Sequence, residues 1–171
     1  MAVKSLLNWL DPIRLDEREK FLKKSVTHLI GASPSNLTLY RLAFLHASAS
    51  KESVAENYKE SNERLEFLGD SVLGMITATY LFQKFPFKDE GFLTEIRSRM
   101  VSRESLNVIG RKLGLEEVIE FEVQRKTSMS RTSMYGDALE AFIGAVYLDK
   151  GFAFTQNFII KKILTQYFDL E

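Results

Sequence analysis

From Asn62 to Phe85 the chain runs without proline, and apolar side chains at Leu65, Leu68, Val72, Met75 and Ile76 recur every three or four residues. That period predicts one long helix, capped near Ser61 or Asn62 and ended by Pro86, because the residue before a proline avoids the α region. The opposite face of the same helix is acidic: at about 100° per residue, Glu63, Glu66, Phe67 and Asp70 lie together. A second segment repeats the arrangement, with Asp137, Glu140, Ala141 and Gly144 on one side and Leu139, Phe142, Ile143 and Val146 on the other. Two helices that each bury the stripe opposite their acids could bring four carboxylates together around divalent cations.

For either helix alone, acids opposite an apolar stripe fit the solvated face of an amphipathic helix. The company these acids keep points further. Like charges one turn apart repel by a few tenths of a kcal/mol, and Glu63, Glu66 and Asp70 have only Arg64 among them. Gly69, Gly74 and Gly144 each cost about 1 kcal/mol relative to alanine inside a helix, which is understandable if two helices approach closely there. Phe67 is a large ring among carboxylates, and something other than water should cover it.

The rest of the chain reads as helices with recognisable ends. Asp16 and Glu19 form a capping box for a helix that buries Leu22, Val26, Leu29 and Ile30 and stops at Gly31. Asn36 can cap a second helix carrying Leu39, Leu42 and Ala43. Residues 51–60 are polar and read as a loop or short helix. A helix from about Glu90 turns Leu93, Ile96 and Met100 inward, and Ser102 can cap the next, with Leu106, Ile109 and Leu113, ending at Gly114. The polar stretch 124–133 reads as a loop, and two last helices, about Met134–Lys150 and Phe154–Phe168, flank Gly151. No repeat or low-complexity linker interrupts them. The expectation is one all-α domain over 1–171, with residues 1–20 a peripheral extension.

Composition narrows the chemistry. The 171 residues are 45% hydrophobic, enough for a full core, and contain no cysteine and two histidines, His28 and His46. Thiolate sites and His-rich zinc or di-iron centres are thereby excluded, and any metal must be held by oxygen, which favours Mg²⁺, Mn²⁺ or Ca²⁺. His46 is read as structural. The longest apolar runs look too short to span a bilayer and no signal-peptide core is evident, so the expected location is cytoplasmic, with no membrane partner. Lysine plus arginine balance aspartate plus glutamate at 23 each, yet Arg97, Arg99, Arg103, Arg111 and Lys112 face only Glu104 along their stretch. That run is either a solvated helix surface or a set of phosphate contacts beside the acids, with Arg97, Arg99 and Arg103 the candidates.

Asn62-Glu-Arg-Leu-Glu-Phe-Leu-Gly-Asp-Ser71 resembles the signature of the ribonuclease III family. Asp137-Ala-Leu-Glu140 running on to Ala145-Val-Tyr-Leu-Asp149 resembles its second acidic motif, and Leu45-His-Ala-Ser48 and Phe85-Pro-Phe-Lys-Asp-Glu-Gly91 also fit, so the similarity covers roughly residues 20–165. The resemblance implies the ribonuclease III type of helical endonuclease domain, hydrolysing double-stranded RNA with Mg²⁺, or Mn²⁺, in RNA processing, ribosomal RNA included. It assigns Glu66, Asp70, Asp137 and Glu140 to metal binding, with Asp70 and Glu140 catalytic. It sets Glu63 and Glu90 towards a dimer-formed cleft where they help place the strand, although an exposed charge and a helix-start charge explain them as well. It also implies that Phe67 packs into a second subunit, giving a homodimer that cuts one strand per subunit and leaves short 3′ overhangs, with recognition by A-form shape. The double-stranded-RNA-binding domain that follows the catalytic one in most bacterial members is not expected in this chain. Two other readings stay open here: a non-catalytic RNA-binding or assembly relative of the same fold, and a carrier protein modified at Ser71 of Gly-Asp-Ser.

Overall fold

Asp16 accepts the Glu19 N–H and Glu19 reaches back to the Asp16 N–H, closing the capping box that opens α1 (Glu17–Ile30). Gly31, at φ 74°, turns the chain out of that helix in the left-handed region that favours glycine. The Asn36 side chain caps α2 (Leu37–Ala43) by accepting from Thr38 N. The chain, a computed structural model, is described over residues 16–50, 53–55, 58–122 and 128–170. Most of the expected N-terminal extension thus lies outside the described residues, and from Glu17 onward the chain already belongs to α1. After a 3₁₀ turn at Ala47–Ala49, a two-stranded antiparallel ladder pairs β1 (Ser53–Ala55) with β2 (Tyr58–Lys59) where a loop or short helix was expected. Strands this short leave no alternation to read, and they do not alter the all-α architecture.

Next come α3 (Glu63–Lys84), α4 (Glu90–Met100) capped by Asp89, and α5 (Arg103–Lys112) capped by Ser102. The final helices are α6 (Ser128–Lys150), α7 (Phe152–Ile159), a π turn (Ile160–Leu164) and α8 (Thr165–Tyr167). Helix α6 begins well before Met134, so residues 128–133 are helix where a loop was expected; residues 123–127 of that loop lie outside the described residues. Ser and Thr are only mildly unfavourable in a helix, by tenths of a kcal/mol, and extending an anchored helix avoids the cost of nucleation.

Helix α6 is the axis of the core. Ala138, Leu139, Ala141, Phe142, Ile143, Ala145 and Val146 are all buried, so both its apolar stripe and much of its acidic side are covered. On one side Phe142 meets the rings of Tyr40, Phe44 and Phe158 at 5.8, 5.5 and 5.9 Å. On the acidic side lies α3. A Cβ on Gly69 would stand 1.7 Å from the Glu140 carbonyl oxygen, and one on Gly144 would stand 2.4 Å from that of Leu65. The two backbones touch because neither residue has a side chain. Gly74 takes no part in this: a Cβ there would meet nothing within 4 Å, which corrects its grouping with the other two.

Seating Gly69 on α6 also rotates α3. Leu65, Gly69, Val72, Leu73 and Ile76 form its buried stripe, whereas Met75, expected inward, is 50% exposed. A glycine carries no apolar signal, so a pattern read from side chains misplaces the centre of the face. Among the described helices α3 is long and apolar enough, by length and composition, to cross a membrane, contrary to the expectation of shorter runs. Its buried stripe instead packs on α6 in the core. At the far end of α6, Asp149 accepts hydrogen bonds from Ser35 N, Asn36 N and the Tyr40 hydroxyl, tying the turn before α2 to the axis.

Candidate metal centre

The glycine contact decides where the acids meet. With Leu65–Gly69 lying across Glu140–Gly144, the first turns of α3 and the middle of α6 present Glu66, Asp137 and Glu140 to one point. One carboxylate oxygen from each lies within 4.8 Å of the others. All three are half-buried, and Asp70, one turn along α3 from Glu66, stands exposed at their edge. These acids are close enough to share a cation directly or through bound water.

The acids bear on one another electrostatically. Burial, then the negative charges of Asp70, Glu66 and Asp137, pushes the Glu140 carboxyl up to about 8, against the opposing pull of Arg103. Glu66 is raised too, first by burial and then by Asp137 and Glu63, again opposed by Arg103. Half-burial and mutual repulsion are unfavourable for the Glu66 and Glu140 carboxylates, and a divalent cation would relieve both. The donors are all oxygens, the set that suits a hard cation such as Mg²⁺. The residues present therefore fit a metal centre.

The other expected residues are distributed around this point. Glu63 is exposed, accepts from the Ser61 hydroxyl at 3.1 Å, and acts on the centre through its charge on Glu66. Glu90 does not join the cluster of its own chain. It opens α4, accepts from the Thr94 hydroxyl at 2.8 Å, and lines a groove with Phe82, Leu93 and Arg97. Phe82 is twelve residues beyond Asp70 on α3, about 18 Å along the axis. Phe67 projects from the acidic face with 78% of its surface exposed.

The basic stretch divides. Arg97 belongs to the Glu90 groove, Arg99 is exposed in the last turn of α4, and Arg111 and Lys112 sit over the rings of Tyr135 and Tyr167 at 5.5 and 5.4 Å. Among the described residues of this stretch, Arg103, the first of α5, is the one whose charge reaches Glu66 and Glu140. Asn107 went unnoticed in the sequence, yet its amide joins α5 to α6: Nδ2 donates to the Arg103 carbonyl and Oδ1 accepts the Gly136 N–H, each at 2.8 Å. An asparagine one turn into a helix carries no signal of such a bridge. His46 caps the 3₁₀ turn at Ala47–Ala49 through Ser48 N, as a structural histidine should.

Comparison with known proteins gives a consistent picture. The family model described as Ribonuclease-III-like matches residues 36–167. Ribonuclease 3 of Azobacteroides pseudotrichonymphae is 38% identical over 98% of this chain and 62% of its own length. Ribonuclease 3 of Bacteroides thetaiotaomicron is 39% identical over 97% of this chain and 53% of its own. This chain thus spans between half and two thirds of these curated relatives. Among solved structures, the nuclease domain of ribonuclease III from Campylobacter jejuni, described for flexibility in the region involved in dimer formation, superposes with a TM-score of 0.74 at 32% identity, covering 84% of this chain and 97% of that one. Giardia Dicer superposes over 98% of this chain and 22% of its own with a TM-score of 0.69, a likeness of fold at 19% identity.

Proposed function

Because the chain belongs to the ribonuclease III-like family, we propose that it is the catalytic part of a metal-dependent endoribonuclease that hydrolyses phosphodiester bonds in double-stranded RNA as a homodimer. The observation that carries this reading is the meeting of Glu66, Asp137 and Glu140 at the α3–α6 crossing with Asp70 at the rim. Bound there, Mg²⁺ or Mn²⁺ lowers the pKa of a water so that it can attack phosphorus and neutralises charge on the reacting oxygens. Glu66, Asp137 and Glu140, with Asp70 at the rim, would hold that cation. Asp70, the exposed member, and Glu140, pushed up by burial and its acidic neighbours, are the pair we assign to catalysis. Glu63 adds negative charge at the entrance, and Arg97, Arg99 and Arg103 supply cations to neighbouring phosphates. Ser71 supports no carrier role, since its hydroxyl donates to the Phe67 carbonyl within α3.

The dimer follows from the outward face of α3. Phe67, Met75 and Phe82 are 78%, 50% and 71% exposed and fall on one side of the helix with Ser71 and Ala78 between them. A second copy paired about a two-fold axis covers this stripe, sets one centre on each strand of an A-form duplex, and can carry Glu90 of one subunit towards the centre of the other. Cleavage with short 3′ overhangs, in the cytoplasm, completes the reading. The test is incubation with long double-stranded RNA at low salt: cleavage with Mg²⁺ and none in excess EDTA is expected, while equal cleavage in EDTA, or none with either metal, overturns it.

A further inference from the structure

The start of α5 is fastened to the metal centre more firmly than an exposed helix end requires. Ser102 caps it by accepting from Ser105 N at 3.2 Å. Asn107 then spans from the Arg103 carbonyl to the N–H of Gly136, the residue before Asp137. The two backbones lie close here, for a Cβ on Gly110 would stand 2.5 Å from the Tyr135 carbonyl oxygen, and one on Gly136 would touch Asn107 N and the Arg103 carbonyl at ordinary contact distance. The base of Arg103 is therefore fixed beside a carboxylate of the centre. Its guanidinium is not: it is exposed and forms no ion pair within 4.0 Å among the described residues. Even so, among the described residues it is the cation whose charge reaches both Glu66 and Glu140.

We infer that Arg103 is the built-in counter-cation of the acidic centre, holding down its affinity for divalent cations in the RNA-free protein until a phosphate of the substrate takes over the guanidinium. This inference rests on the metal-centre reading above. An anchored base with an unlocked fork suits such an exchange. A guanidinium bound in a tight carboxylate pair would have to break it, whereas one held only by the field can turn to a phosphate and bind it through two parallel N–H bonds. Metal uptake and substrate binding then assist each other, since each relieves what opposes the other.

The measurement is calorimetric titration of Mn²⁺ into the RNA-free protein at low salt. A unit charge about 10 Å from a divalent ion in a water-like dielectric changes affinity about four-fold, so Arg103→Gln should bind Mn²⁺ about four times more tightly, a gain that shrinks as salt shortens the Debye length. Arg103→Lys keeps the charge and should keep wild-type Mn²⁺ affinity. With double-stranded RNA both variants lose the fork, and KM should rise more than kcat falls. Arg41→Gln, an exposed position on α2 with the same charge change, should leave Mn²⁺ affinity unaltered. Unchanged affinity in Arg103→Gln, or the same gain in Arg41→Gln, overturns the inference. A folded wild-type protein that takes up no Mn²⁺ overturns the metal-centre reading itself.

Discussion

Glu140 carries a heavier electrostatic burden than Glu66, and its titration has a definite sign. Its carboxyl is pushed up to about 8 in the folded chain from an ordinary 4.5, so between those values the folded state binds more protons than the unfolded one. In EDTA the protein should be most stable below about pH 4.5, as far as this group is concerned, and lose that share as pH rises towards 8. Glu140→Gln should flatten the fall while abolishing cleavage, because the amide removes both the repulsion and a metal ligand. Melting both proteins in EDTA across this range checks it; identical pH profiles would falsify the burdened carboxylate. Thr77 offers a second test at this scale. Its hydroxyl is the described buried side-chain atom without a hydrogen-bond partner, so Thr77→Val should stabilise the chain by about 1 kcal/mol in denaturant unfolding.

At the scale of elements, the α3–α6 crossing depends on two missing side chains. Gly69→Ala sets a methyl 1.7 Å from the Glu140 carbonyl oxygen, and backbone cannot yield as a flexible side chain does. The helices must separate, costing on the order of 3 kcal/mol or more and pulling Glu66 away from Asp137 and Glu140. Gly74→Ala, with open space around it, should gain about 0.5–1 kcal/mol of helix propensity. Urea unfolding of the two variants, with Mn²⁺ affinity alongside, separates the cases. A Gly69→Ala protein with wild-type stability and metal affinity would mean that the close crossing does not build the centre.

For the whole molecule, Phe67 and Phe142 are the same residue in opposite circumstances. Phe142 is fully buried against Tyr40, Phe44 and Phe158, so Phe142→Ala should destabilise the fold by about 3–5 kcal/mol. Phe67 stands in solvent in the single chain, and burying such a ring in a partner gains about 2 kcal/mol per subunit. Phe67→Ala should leave chain stability nearly unaltered, shift the protein towards monomer in sedimentation at micromolar concentration, and lower activity with every carboxylate in place. A wild-type protein that sediments as monomer, or a Phe67→Ala dimer of full activity, removes the basis for pairing along α3.

Local chemistry alone made much of this protein legible. The Asp16–Glu19 capping box, the caps at Asn36 and Ser102 and the stops at Gly31, Gly114 and Gly151 depend on a few neighbouring residues, and periodicity put Glu66 with Asp70 and Asp137 with Glu140 on single helix faces. Which helix meets which, and at what rotation, is a property of packing. Gly69 turned α3 so that Leu73 is buried and Met75 exposed, and no side-chain pattern can register the residue that has none. The early start of α6 at Ser128 extends a helix already anchored in the core, and the β1–β2 ladder pairs residues three and six apart in strands too short to leave an alternation to read. Arg103 shows the division within one residue: its charge was plain from the sequence, but only the Asn107 bridge to Gly136 sets that charge beside the acids, because residues 29 apart in sequence come together only when two helices pack.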